Sequence, residues 1–166
     1  MSAPVVPKPG SSMERVAHDA ERLGLAIELR VMDQSTRTAE DAAAACGCGV
    51  GQIVKSLVFE NADDGNLVLL LVSGNHNADL DYISSEYGLK LKRCDGRRVR
   101  DETGFAIGGV APIGHKVAIA TWLDENLLGY DAVWAAAGRP DSVFRVDPRA
   151  LVDAISPCVI AVRHPS

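Results

Sequence analysis

The chain has 166 residues, 17 basic and 22 acidic side chains, and a formal net charge of −5. A chain of that length builds one domain with a core, burying roughly 68–70% of its unfolded surface. Its 47% hydrophobic and 23% charged composition is that of an ordered globular protein. The longest aliphatic run, Leu67 to Val72, is far short of the roughly 20 residues that span a bilayer, so no membrane association is expected. No cationic start followed by an apolar stretch marks a leader. Cys46, Cys48, Cys94 and Cys158 are too few and too scattered for a secreted disulfide scaffold, and read as reduced thiols of a cytoplasmic protein. The acidic balance argues against a non-specific duplex-DNA binder.

In chain order, residues 1–10 hold three prolines and a glycine and are expected to be a flexible lead-in to a single domain over 11–166. Ser11 with Glu14 makes a capping box for a helix to about Leu23, closed by Gly24. Alternation over Ala26–Val31 predicts a strand. Thr38 with Asp41 caps an alanine-rich helix that Gly47 stops. Ile53–Glu60 and Leu67–Ser73 are strands joined across Asp63-Asp64-Gly65 as a hairpin. A helix follows over Asp79–Tyr87, ended by Gly88, then a short strand over Leu89–Lys92 and a short helix over Arg97–Glu102. A glycine-rich stretch fills 104–114. Val117–Ala120, Ala132–Ala136 and Val143–Val146 read as strands, Asp147-Pro148 opens a helix over 148–154, and Val159–Val162 reads as a last strand. With no internal repeat and no linker, the pattern is that of one mixed α/β domain.

Lys55 is the most informative single residue. In a strand over 53–59 it shares a face with Ile53, Leu57 and Phe59. A lysine on that apolar face either snorkels to the rim or projects into a pocket that holds an anion. The stretch from Gly104 to His115 contains Gly108-Gly109 and Gly114. Such glycines either cradle an oxyanion with backbone N–H groups or make a tight crossover. The stretch is no Walker A loop, since it ends Gly114-His115-Lys116 and runs into an apolar strand pattern. No Gly-x-Gly-x-x-Gly and no Gly-x-Ser-x-Gly is present. Cys46-Gly47-Cys48 lacks a second ligand pair, and His18, His76, His115 and His164 are dispersed, so neither a metal nor an organic cofactor is expected. Lys90, Lys92, Arg93, Arg97, Arg98 and Arg100 share residues 90–101 with only Asp95 and Asp101, a local charge of +4 against −9 for the rest. That segment is either a solvated face or a contact for a polyanion such as RNA.

Taken together, Ile53-Val54-Lys55-Ser56-Leu57-Val58-Phe59, Val72-Ser73-Gly74-Asn75 and Thr103-Gly104 through Gly108-Gly109-Val110-Ala111-Pro112-Ile113-Gly114-His115 resemble the YbaK/EbsC family. Val133-Trp134-Ala135-Ala136-Ala137-Gly138, Val143-Phe144 and the Asp147–Leu151 helix start fit the same pattern, in order, from about residue 12 to 162. These proteins are freestanding relatives of the editing domain inserted in bacterial prolyl-tRNA synthetases. The resemblance implies a mixed, partly barrel-like β-sheet with peripheral helices. It also implies deacylation of mischarged tRNA, with Cys-tRNA(Pro) and Ala-tRNA(Pro) as typical substrates.

The family's pocket lysine falls on Lys55 and its paired glycines on Gly108 and Gly109. The resemblance thus gives Lys55 the acceptor end and the glycines the ester carbonyl. It implies a substrate-assisted reaction, using a ribose hydroxyl or the cysteine thiol, which suits a chain with no triad. Ser73, Gly74, Pro112, His115 and Gly138 become substrate-binding candidates, with Met32 in the Val31–Arg37 turn on the other side. His115 alone also reads as a hydrogen-bonded structural group. Some members carry an acidic or histidine side chain at a position that falls near Val143 here; Asp141 and Ser142 lie beside it as substitutes. Arg97 and Arg98 are the tRNA-contact candidates, and the acidic remainder points to an aminoacyl-tRNA synthetase as a second partner. The alternatives are a non-catalytic tRNA- or synthetase-associated module of the same fold, or hydrolysis of another small ester.

Overall fold

Each α-helix starts at an oxygen-bearing side chain that accepts an otherwise unsatisfied N–H of the first turn. The computed structural model describes residues 3–33, 36 and 38–165. Ser11 caps α1 (Ser12–Leu23), Thr38 caps α2 (Ala39–Cys46) and Asp79 caps α3 (Leu80–Tyr87). Asp95 caps α4 (Gly96–Thr103), and Asp147, followed by Pro148, caps α5 (Pro148–Ile155). Gly24, Gly47 and Gly88 close the first three helices as expected. The Glu14 carboxylate accepts from Gly10 N–H at 2.9 Å, one residue before the N-cap that a strict capping box would use.

The strands form two sheets. The first comprises β1 (Ala3–Pro4), β2 (Glu28–Val31), β8 (Ser142–Val146) and β7 (Val133–Ala136), in the order β1-β2-β8-β7 and antiparallel throughout. Ala3–Pro4, within the expected lead-in, thus pairs with Val31 and Arg30 as a short edge strand. The second is β5-β3-β4-β6-β9. In it β3 (Val54–Asn61) runs antiparallel to both β4 (Leu67–Ser73) and β5 (Leu91–Arg93). The strands β6 (Ala120–Asp124) and β9 (Cys158–Ile160) extend it in parallel. Among the described residues the sheets do not close into a barrel; they are bridged at one parallel pair, Ile53 and Trp134. The architecture is the expected mixed α/β fold with peripheral helices.

All seven residues of β4 are buried, which is why that run shows no alternation. Leu69 and Leu71 face the main core with Val16 of α1, Val99 of α4 and Leu151 of α5. Val68, Leu70 and Val72 face Ile83 of α3, with Leu57 and Phe59 packed on the same cluster. Lys55 therefore shares the Leu57–Phe59 face of β3, as period-two alternation requires. A smaller cluster joins Met32, Ala42, Ala43, Ile53, Trp134 and Val143 beneath α2.

Three strands are displaced from expectation: β5 is Leu91–Arg93 where the sequence pattern predicts Leu89–Lys92, and β6 and β9 shift as well. The apolar run Val117–Ala120 meets the sheet only at its last residue, and β6 is Ala120–Asp124. Parallel pairing with β4 puts Leu123 opposite Leu71, fully buried, whereas Val117 remains 48% exposed. Local hydrophobicity does not reveal which segment reaches a buried neighbour. Likewise β9 is Cys158–Ile160, and Val162 is buried beyond it, its carbonyl accepting from Asp79 N–H at 2.8 Å. No helix among the described residues is long and apolar enough to cross a membrane.

Arg98 and Glu60 tie α4 to the β3–β4 hairpin. The Arg98 guanidinium donates to Glu60, to Glu102 and, at 2.6 Å, to the Gly65 carbonyl in the turn. Lys92 reaches Glu60 at 2.7 Å. These cations, with the Lys92 hydrogen bond foremost, hold the Glu60 carboxyl below its ordinary 4.5. A carboxylate lowered in this way stabilises the fold above its unfolded-state pKa, and that contribution is lost as pH falls through the folded-state value. Glu60→Gln should therefore melt below the wild type at neutral pH, with the gap closing as the solution is acidified past 4.5. A gap that stays constant down to about pH 3 would contradict this linkage.

Candidate functional site

The seam between the sheets opens into a cavity of about 350 Å³. After the Ile53–Trp134 bridge, β3 and β7 part, and β5 joins β3 only at Phe59–Asn61. The outer edge of β3 from Val54 to Val58 thus has no strand partner among the described residues. Backbone polar groups on such an edge remain open to a ligand. Lys55 and Ser56 line one side of the cavity, Trp134 and Ala136 the other, with Ala39 and Ala42 of α2 and Val143 of β8 completing its apolar part. Ile107 and Gly108 form the lip.

Lys55 is half-buried, and its ammonium donates to the carbonyl of His76. A buried polar network positions that carbonyl. Asp124, 1% exposed, accepts from Ser73 N–H and His76 Nδ1 through Oδ2 and from Asn126 N–H through Oδ1, each at 3.0 Å. The Ser73 hydroxyl donates to Gly51 O at 2.6 Å and accepts from Asn126 Nδ2 at 3.0 Å. Gly74 allows the turn to sit close, because a Cβ there would lie 2.3 Å from the Val50 carbonyl. Ser73 and Gly74 thus serve the site from behind and do not line the cavity. His76 and Asp124 were not singled out in the sequence, where Asp124 looks like any helix-capping aspartate.

The glycines of the 104–114 stretch have separate reasons. Gly108, at φ +94°, is exposed at the cavity lip, and its N–H has no partner among the described residues. Gly109 donates to Ala106 O at 2.9 Å, and a Cβ there would meet the backbone of Gly138 and Arg139 at 3.2 Å. Gly138 in turn accepts from the Ser12 hydroxyl at 2.8 Å. The loop is therefore a tight crossover on α1 in which Gly108 N–H, like those of Ile107 and Val110, has no partner among the described residues, and of the three Gly108 carries no side chain to screen it. Pro112 is buried in that crossover, and His115 pins it, its Nε2 lying 2.7 Å from the Ala111 carbonyl. Burial pushes the His115 pKa down, so the ring is neutral at neutral pH. Neither residue lines the cavity.

Beside Val143, the expected substitutes turn elsewhere. The Ser142 hydroxyl accepts from Arg139 N–H at 3.0 Å, and Asp141 pairs with Arg139 at 3.0 Å while its carbonyl accepts from Met32 N–H at 2.8 Å. Val143 itself faces the cavity, which is apolar at that position. Met32 is buried in the cluster behind the wall. Of the turn expected over Val31–Arg37, Gln34, Ser35 and Arg37 lie outside the described residues, whereas Thr36 lines the cavity. Thr38 and Trp134, read in the sequence as a helix cap and as part of a strand motif, also line the cavity, a role the sequence did not assign to them. Arg98 is held by its internal partners, which leaves the exposed Arg97 as the open member of the expected pair. Burial, then Cys48, pushes the Cys46 thiol up to about 12, so it is protonated at neutral pH.

Asp124→Asn should show how strongly this network holds the Lys55 turn. An amide has one oxygen and so cannot accept from the donors on both carboxylate oxygens. Loss of about 2–3 kcal/mol in denaturant unfolding is expected, and an unchanged midpoint would mean that the network is dispensable.

Residues 33–154 match the aminoacyl-tRNA editing domain family. A candidate Cys-tRNA(Pro)/Cys-tRNA(Cys) deacylase, EbsC of Enterococcus faecalis (strain ATCC 700802 / V583), is 29% identical over 116 residues, covering 69% of this chain and 70% of its own. The uncharacterized protein YwhH of Bacillus subtilis (strain 168) is 29% identical over 119 residues, covering 72% and 75%. The crystal structure of a candidate trans-editing enzyme for prolyl-tRNA synthetase superposes with a TM-score of 0.86 at 41% identity, covering 96% of this chain and 100% of that one. By sequence and by fold, this chain belongs to the aminoacyl-tRNA editing domain family.

Proposed function

We propose that the protein is a trans-acting deacylase that hydrolyses the ester of mischarged tRNA, with Cys-tRNA(Pro) or Ala-tRNA(Pro) as substrate. One observation supports it above the others. The cavity places a cation and a free backbone N–H around an apolar space, and among the described residues no His, Asp, Glu or Cys lines it. Ser56 and the threonines therefore have no base there to make them nucleophiles. Lys55 is engaged as a donor to the His76 carbonyl.

In this reading the aminoacyl group enters between Trp134 and α2, and Lys55 holds the acceptor end. Gly108 N–H donates to the carbonyl oxygen as negative charge develops on it. Gly109, its own N–H engaged, lets the loop approach. The activating group comes from the substrate: a ribose hydroxyl directs water onto the carbonyl and gives the free amino acid, or the cysteine thiol attacks it and gives a cyclic thioester that water then opens. In either case the bond from the acyl carbon to the ribose oxygen breaks and that oxygen takes a proton. Substrate-assisted hydrolysis of this kind needs neither a metal nor an organic cofactor. Residues 11–166 act as one editing domain behind a short lead-in. Reduced cysteines, all unpaired among the described residues, fit work in the cytoplasm. Transient docking on a synthetase is part of the same proposal, resting on the acidic surface outside residues 90–101.

Wild type and Lys55→Met should be incubated with tRNA(Pro) carrying alanine, cysteine or proline. Selective loss of alanine or cysteine is expected, falling on the order of 100-fold in the variant. Full activity in Lys55→Met would remove the lysine from the mechanism. Retained tRNA binding with no ester loss from any substrate would make the chain a binding module.

A further inference from the structure

Past Gly108 the seam continues into a second cavity of about 210 Å³. It shares Ser56, Leu57, Ile107, Gly108 and Val110 with the first. Val58, Phe59 and Val99 make its remaining apolar lining, and Arg93 and Cys94 stand where β5 begins to pair with β3. Three further observations mark it as unfilled by the protein's own groups. The Ser56 hydroxyl is buried with no hydrogen-bond partner, a state that costs about 1–3 kcal/mol until a partner arrives. Ile107 stands 67% exposed on the shared lip. Arg93 is exposed with no ion-pair partner among the described residues, although Lys92 and Arg98 on either side both reach Glu60.

The volume is below the roughly 300 Å³ at which sites for drug-sized ligands begin, so the slot suits a single ring system. Apolar walls, one hydroxyl able to donate or accept, and a cation at the mouth fit a base followed by a phosphate. The unpaired β3 edge runs from the first cavity into this one, so one ligand can occupy both. Resting on the deacylase reading, we propose that the second cavity is the subsite for the 3′-terminal nucleotide of the acceptor end. The base enters between Ile107 and β3, and the adjoining phosphate meets Arg93. The acyl group and the base then lie on opposite sides of Gly108, which brings the ester to the free N–H.

The test measures binding at fixed salt of uncharged tRNA(Pro), of the same tRNA lacking its 3′-terminal nucleotide, and of free AMP. Wild type, Arg93→Gln and Ile107→Ser are compared after their melting curves are matched. Arg93→Gln should weaken intact tRNA about tenfold, the weight of one charge-assisted hydrogen bond. Its effect on the truncated tRNA should be less than about twofold, and Ile107→Ser should show the same selectivity. Equal weakening on both tRNAs, or no weakening, overturns the subsite, as does a wild type that binds both tRNAs alike. AMP binding as tightly as intact tRNA would assign the slot to free nucleotides and overturn it as well. If these results come with normal ester hydrolysis, the deacylase reading survives; absence of both tRNA binding and hydrolysis removes both.

Discussion

The structure depends on two strands that meet once and then separate. Among the described residues a single parallel bridge, between Ile53 and Trp134, joins the sheets, after which β3 and β7 diverge. Continued pairing would have satisfied the backbone of β3 and closed the barrel. Separation instead leaves an open strand edge facing an apolar space, a combination that proteins keep where backbone groups are to meet a ligand. The flanking elements follow from that choice. The alanines of α2 leave room above the cavity, and the glycine-rich loop closes its far side.

Within this frame the charged group is placed from behind. Lys55 leans on the His76 carbonyl, and that carbonyl belongs to a turn fixed by Asp124, Ser73 and the close approach of Gly74 to Val50. The loop opposite is fixed through α1, with Ser12 on Gly138, Asp19 on Gly114 N–H at 2.8 Å, and His115 on Ala111. Both walls are therefore pinned by hydrogen bonds, and Gly108 N–H lies at the lip between them without a partner among the described residues. A pre-positioned donor of this kind gains its effect from needing no reorganisation when charge develops.

Local physics made much of this readable from residues. Capping side chains marked the helix starts, and period-two alternation put Lys55 on the Leu57–Phe59 face. Long-range partners set the rest. The strand expected at Val117–Ala120 moved because β4 pairs with Ala120–Leu123. Gly108 and Gly109 look equivalent as letters, yet one N–H is free and the other is engaged. Asp141 and Ser142 offered plausible polarity, but the turn at Arg139 takes both and Val143 faces the cavity. Arg98 resembled its neighbour Arg97 until Glu60, 38 residues away, claimed it. Asp124 caps the turn at Asn126 locally, but its bonds to Ser73 and His76 are tertiary and leave no local sign.

In the proposed reading the ester lies in the seam with its carbonyl on Gly108. A structure with a non-hydrolysable 3′-amide analogue of alanyl-adenosine tests it most directly. The alanyl group should lie between Trp134 and Lys55, with its carbonyl oxygen within about 3 Å of Gly108 N. An alanyl group bound elsewhere, or a carbonyl turned away from Gly108, would contradict it.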